Sequence, residues 1–148
     1  MTTATEKREK LERCKVIIGQ LGRGISGTLC YIGADPRSIV GHDCYDKPDT
    51  GEDKGDSRID DETGLVDGGG NCWVRFQVNG KRGERWLMTI ALEWRDVYTV
   101  WLQGVGRSGK VLWTERMEDV YCDMLKEIVE NLYDRALRQR NGGWVNLG

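Results

Sequence analysis

Apolar and polar residues alternate along the second half of the chain. The alternation runs through Cys72–Val78, returns in Arg85–Glu93, continues in Asp96–Gln103 and ends in the shorter Lys110–Thr114. A period of two is typical of β-strands. Asn79–Gly83 joins the first two strands and predicts a hairpin turn, because Asn-Gly tolerates the positive φ that twisted hairpins need. The pattern therefore predicts an antiparallel meander of four strands, and the second strand, apolar on both faces, should be covered on both sides.

Apolar residues recur every three or four positions at the two ends of the chain. The first such stretch predicts a helix over Thr5–Ile18, with a short strand at the β-branched Val16–Ile18 as the alternative. The second forms one apolar stripe from Met117 to Leu137, with acidic residues near its start and basic residues near its end. That charge order suits the helix dipole. Gly142 and Gly143 supply the predicted stop.

Between the first helix and the meander the periodic pattern is interrupted. Gly27–Ile32 predicts a strand, but residues 33–70, with two prolines and the Gly68–Gly70 triplet, predict a long loop. Such a connection is usually functional or disordered. The whole predicts a single α+β domain over residues 1–148, with a sheet of four to five strands and the long helix packed on one face. The N-terminal helix, the loop or a second copy of the chain should cover the other face.

Charge is distributed unevenly along the chain. The 148 residues carry 22 basic and 24 acidic side chains, a net charge of −2. Residues 42–67, however, hold three basic and ten acidic residues, a net −7, inside a body that is slightly basic. An acidic extended segment can occupy a groove built for phosphates. Its alternatives are a solvated loop and a loose site for a hard cation, although no frame fits an EF-hand.

The acidic loop and two tryptophans outside the regular pattern are the candidate partner-binding residues. Exposed Trp is enriched at interface hot spots. The candidates are Asp46, Asp49, Glu52, Asp53, Asp56, Asp60, Asp61, Glu62, Trp94 and Trp144.

The single histidine and the five cysteines limit the chemistry available to the chain. His42 and Cys44, with Cys30 and Cys72, are weak candidates for a Cys₃His zinc site, which would need four tetrahedral ligands. Cys44 as a nucleophile with His42 as its base lacks an orienting third group. We expect no metal, no other cofactor and no catalytic residues.

Two further motifs have ordinary explanations. Residues 22–27 and 104–109 both fit G-x-G-x-x-G, but neither lies between a strand and a following helix as a dinucleotide site requires, so these are expected to be turn or helix-stop glycines. A basic rim with aromatic neighbours includes Arg75, Lys81, Arg82, Arg85 and Arg107. It lacks an RNP-like motif, and we expect no direct binding of nucleic acid.

The N-terminus and the cysteines indicate the compartment. The first ten residues are polar and charged, without the apolar region of a secretory signal, and no run of 18 apolar residues predicts a membrane helix. The odd, scattered cysteines indicate reduced thiols. We expect no membrane association and a cytoplasmic location, which would be the host cytoplasm for a phage-encoded protein.

These patterns favour a non-enzymatic protein that docks on a larger, basic, nucleic-acid-handling partner through its acidic loop and exposed aromatics. The economy resembles that of anti-defence inhibitors carried by phages and mobile elements, such as anti-CRISPR proteins, although this is analogy only. The alternatives are a metal-binding protein or small enzyme centred on His42, Cys44 and loop carboxylates, and a homodimeric structural protein.

Overall fold

An antiparallel five-stranded sheet organises the chain, in a computed structural model that describes residues 16–20, 27, 32–43, 57–67, 72–93 and 97–140. The strands are β1 (Val40–Asp43), β4 (Cys72–Val78), β5 (Arg85–Leu92), β6 (Tyr98–Val105) and β7 (Val111–Val120), in the spatial order β1-β4-β5-β6-β7. Two short strands, β2 (Arg58–Ile59) and β3 (Val66–Asp67), form a separate hairpin. Helix α1 (Leu125–Arg140) follows β7. The predicted α+β class, meander and closing helix are confirmed.

One face of the sheet, here called the helix face, holds the main hydrophobic core. Alternate residues of β4, β5 and β6 point to it, and α1 packs against them through Leu125, Val129, Leu132, Tyr133 and Ala136, each at most 5% exposed. Ile17, Ile18 and Ile32 join the same core. Nineteen described side chains are buried in this core. Their burial, at roughly 1.5–3 kcal/mol for each Val, Leu, Ile, Phe or Met, is the main force that holds α1 on the sheet.

The boundary between β7 and α1 differs from the prediction. Met117 and Val120 were expected on the helix, but both lie on β7, where they pair with Val100 and Tyr98. One residue of β6, Thr99, thus faces two of β7, Glu118 and Asp119, which is a β-bulge, and Asp119 has a φ of 56°. Because of the bulge, Met117 and Val120, three positions apart, lie on the same face of the strand. That spacing is the one expected of a helix, which explains the wrong prediction. The helix starts only at Leu125.

The bulged strand also holds the far end of the helix. Glu115, predicted near the helix start, lies on β7 and faces α1, where its carboxylate accepts hydrogen bonds from Arg140 (2.9 Å) and Arg135 (3.4 Å). Arg140 also stacks over the ring of Trp113 at 4.3 Å. These contacts tie the last turns of α1 to the strand that precedes it.

Trp86 shapes the predicted turn between β4 and β5. The hairpin is confirmed, but the positive φ lies at Gly83 (86°) rather than at Asn79 or Gly80. Gly80 is needed for a different reason: a Cβ there would lie 2.2 Å from the Trp86 ring. The buried Trp86 packs edge-on against Trp113 at a centroid distance of 5.0 Å, and Glu84 accepts hydrogen bonds from both indole N–H groups.

Residues predicted to form the N-terminal helix and the long loop are described in part. Residues 16–20 are helical, which excludes the alternative strand there, and residues 5–15 lie outside the described residues. Ile32 lies in a turn, not in the predicted strand. Within 33–70, the single 3₁₀ turn Pro36–Ser38, strand β1 and the β2–β3 hairpin replace the expected irregular chain over 33–43 and 57–67, whereas 44–56 and 68–70 lie outside the described residues.

Candidate functional site

The second half of the acidic loop lies across the face of the sheet opposite α1, here called the hairpin face. Residues 57–67, which we call the acidic hairpin, cover part of this face, where Trp73, Thr89, Ala91, Trp101 and Gln103 are buried. The need for a cover on this face was predicted, and the loop supplies part of it. Val66, fully buried, is the apolar contact of the hairpin.

Gln103 in the middle of β6 attaches the hairpin with its side-chain amide. Its Oε1 accepts a hydrogen bond from the Val66 N–H at 3.1 Å, and its Nε2 donates to the Gly64 carbonyl at 2.7 Å and to Thr114 Oγ1 at 3.1 Å. Gln103 is 0% exposed. A buried amide needs such partners, and here it bonds to the backbone of the hairpin as a neighbouring strand would.

Arg75 on β4 binds the backbone carbonyl of Val66, the hairpin residue whose N–H is bound by Gln103. Its guanidinium donates to the Val66 carbonyl and, through Nε, to Thr89 Oγ1 at 3.0 Å. The guanidinium also lies over the Trp73 ring at 4.7 Å. Arg75 was expected in an exposed basic rim. Its place is a half-buried contact beneath the hairpin, because odd-numbered residues of β4 face this side.

The first residue of the hairpin, Ser57, is bound to the sheet by Glu93, which directly follows β5. Glu93, which is 0% exposed, accepts a hydrogen bond from the Ser57 N–H at 2.6 Å. Ser57 Oγ accepts in turn from the indole N–H of Trp101 at 3.0 Å. Hydrogen bonds to carboxylates are short and strong when the group is ionised. Both ends of the hairpin are therefore attached to the sheet by polar groups.

Asp60 shapes the turn of the hairpin. Its Oδ1 accepts from the Glu62 N–H at 2.7 Å and the Thr63 N–H at 3.4 Å, and its backbone bonds to Gly64 and Leu65. An Asp that accepts from the residue two further on closes an Asx turn. This fixed turn leaves Asp61 and Glu62 exposed. The described part of the predicted acidic surface is thus a pair of exposed carboxylates on an anchored turn.

The remaining partner-binding candidates are outside the described residues. They are Asp46, Asp49, Glu52, Asp53, Asp56, Trp94 and Trp144. Their proposed roles stay predictions.

The metal candidates are not brought together in the described residues. His42 lies on β1, with its backbone opposite Trp73. Cys72 is fully buried in the hydrophobic core, and Cys30 and Cys44 lie outside the described ranges. Within those ranges no group of three or more His, Cys, Asp or Glu side chains is placed to hold a metal ion.

Sequence reasoning missed the residues that hold the hairpin. Gln103, Glu93 and Ser57 were not singled out. The one available signal was Gln103, an amide in a strand that is buried at every position. A polar side chain there requires partners from another segment, but the pattern does not show which segment provides them.

Comparison of the chain with protein-family models, with curated proteins and with solved structures finds no match in any of the three. In the described part of the chain, no helix is long and apolar enough to cross a membrane.

Proposed function

We propose that this chain is a non-enzymatic binding protein that docks on a larger, basic, nucleic-acid-handling partner through its acidic segment and modulates or inhibits it. The observation that carries the proposal is the attachment of the acidic hairpin to the sheet by Gln103, Arg75 and Glu93, with Asp61 and Glu62 exposed on the turn. Cytoplasmic action, in the host when the gene is phage-borne, belongs to the same proposal.

Attachment of the hairpin matters because ordering a loop during binding lowers affinity. An immobilised side chain at an interface costs about 0.5–1.5 kcal/mol, and a loop that is already fixed avoids much of that cost. The fixed turn therefore supports a role as a preorganised anionic surface. Long-range attraction between such a surface and a basic groove raises the association rate and makes it sensitive to salt.

The two alternative functions rest on other features of the chain. The metal or enzyme alternative depends on His42, Cys44 and neighbouring carboxylates, of which Cys44 and Asp46 lie outside the described residues, and it stays a prediction. The homodimer alternative depended on an uncovered sheet face. The hairpin covers part of that face, so this particular reason for a dimer is weaker.

The test uses the full chain as bait in extract of the native cell or host. The variant Asp61→Asn/Glu62→Gln removes two exposed charges from the hairpin turn. The control Glu118→Gln/Asp123→Asn removes two exposed acidic charges beyond the hairpin, at the end of β7 and before α1. We expect a protein that the wild type and the control retain at low salt and that the hairpin variant loses.

Two further arms define that partner. The retained protein should elute as salt rises from 50 to 300 mM and should be displaced by added DNA or RNA, as a nucleic-acid groove requires. Equal retention by the wild type and the hairpin variant would refute the role of the hairpin turn. A retained protein that nucleic acid fails to displace would refute the proposed class of partner.

A further inference from the structure

We infer that the end of the sheet formed by the β4–β5 and β6–β7 turns binds the phosphate backbone of a nucleic acid. This basic end consists of Lys81, Arg82, Arg85, Arg107 and Lys110, all exposed. Arg82 and Arg107 stand 25 positions apart in the chain, as do Arg85 and Lys110. The antiparallel order of β4 to β7 brings the two turns to the same end of the sheet. The inference uses residues that the proposed function does not.

None of the five cations forms an ion pair with another described residue. The one carboxylate within the turns, that of Glu84, already accepts hydrogen bonds from the indoles of Trp86 and Trp113, at 2.9 and 3.3 Å. The basic end is therefore a local positive charge on a chain whose net charge is −2.

A cleft of about 360 Å³ lies between the two turns, lined by Gln77, Gly83, Glu84, Arg85, Val105, Gly106, Arg107 and Gly109. Arg85 and Arg107 stand at its walls. The planar guanidinium group binds phosphate through paired hydrogen bonds, which makes Arg the preferred residue for such contacts. The glycines leave the backbone open: an added Cβ at Gly83 or Gly109 would meet nothing within 4 Å.

Each of the two turns is closed by a backbone hydrogen bond between residues three apart. In the first, the Glu84 N–H donates to the Lys81 carbonyl at 3.1 Å, and in the second the Gly109 N–H donates to the Gly106 carbonyl at 3.0 Å. Arg82 and Arg107 hold the second position of their turns. The turn centres are two strand spacings apart, about 10 Å, which corresponds to about three nucleotides along one strand at 3.4 Å of axis each.

The lining of the cleft also indicates how the nucleic acid is recognised. Among the described residues it contains no aromatic side chain, because Trp86 and Trp113 point to the helix face. The described lining therefore offers no ring for base stacking, on which single-strand binders depend. The basic end should bind DNA through its phosphates, without sequence preference. This departs from the expectation of no direct nucleic-acid contact, since the fold unites charges that the sequence keeps apart.

The test measures fluorescence anisotropy of a labelled 20-base-pair DNA duplex titrated with the full chain. Contacts to five phosphates give a slope of about −4.5 in log affinity against log salt, which is a loss of about 20-fold between 50 and 100 mM KCl. The variant Arg85→Gln/Arg107→Gln should bind more weakly and lose only about sixfold over that range. The control Arg116→Gln/Lys126→Gln removes the same charge away from the cleft and should keep the steeper slope.

Every substituted side chain is exposed, and circular dichroism will establish that each variant folds. Absence of wild-type binding at 50 mM KCl, or an equal loss of slope in the control, would overturn the inference. Equally tight binding of a labelled 20-residue oligoglutamate would overturn the nucleic-acid assignment. So would displacement of the duplex by 10 mM inorganic phosphate at constant ionic strength.

Discussion

Replacing Gln103 with Leu should detach the acidic hairpin from the sheet while the sheet stays folded. The substitution removes the acceptor of the Val66 N–H and the donor to the Gly64 carbonyl, and it leaves a side chain of similar bulk. A buried polar group left without a partner costs about 1–3 kcal/mol. Two such groups should weaken the docking of the hairpin by about 2–6 kcal/mol, because they regain partners, from water, only when the hairpin lifts.

The assay is amide hydrogen exchange followed by mass spectrometry. At 1.4 kcal/mol for each tenfold change, a loss of about 2–6 kcal/mol raises the exchange rate of the Val66 amide by roughly 30- to 20,000-fold. Peptides from β5 and β6 should exchange as in the wild type, because their ladder bonds do not involve the Gln103 side chain. The control is Gln77→Leu, the same change on the same sheet face at a side chain that makes no hydrogen bond within the described part of the chain.

Two outcomes would refute the reasoning. An unchanged exchange rate over residues 57–67 in Gln103→Leu would mean that the amide does not hold the hairpin. A similar rise in the hairpin and in β5 and β6 would mean that the hairpin and the sheet open together.

Substitutions at three further positions test the packing of the helix face and the bulge of β7, with stability measured by chemical denaturation. Leu132→Ala, in the buried stripe of α1, should lower the free energy of unfolding by about 2–5 kcal/mol, and a loss below 1 kcal/mol would contradict the packing of α1 on the sheet. Gly104→Ala places a Cβ 2.1 Å from Trp113 Nε1 and should cost about 1–3 kcal/mol; unchanged stability would show that the Trp113 ring moves easily. Asp119→Val, at a φ of 56°, should destabilise by about 1–3 kcal/mol and Asp119→Gly by less, whereas the reverse order would argue against the bulge.

The sequence predicted the meander well because its period of two depends on local geometry. In β4, Cys72, Val74, Phe76 and Val78 all face the helix core, as their alternation indicates. The sequence-based prediction failed at Met117 and Val120. The bulge at Asp119 adds one residue between them, so two residues on the same face of a strand are three positions apart, as on a helix. A periodicity count assumes a regular strand and cannot detect an extra residue that only the partner strand reveals.

The candidate site was less predictable because its contacts are distant in sequence. The acidic composition of residues 42–67 indicated a distinct surface, and Asp61 and Glu62 are exposed as that interpretation needs. The anchors, however, lie 9 to 39 residues away from the hairpin residues they bind. Their roles depend on which sheet face each occupies, and Arg75 is the clearest case: a cation that charge counting assigned to a surface is a backbone contact.

The two faces of the sheet differ in what holds their covers. Lifting α1 would expose Leu125, Val129 and Leu132 to water, which costs about 1.5–3 kcal/mol for each side chain. Lifting the acidic hairpin exposes Val66 and a few polar groups, and water can hydrogen-bond to Gln103, Arg75 and Glu93 in place of the hairpin. Local opening follows the element with the least buried apolar surface. The acidic hairpin should therefore open locally more readily than α1, while the core of the helix face stays intact.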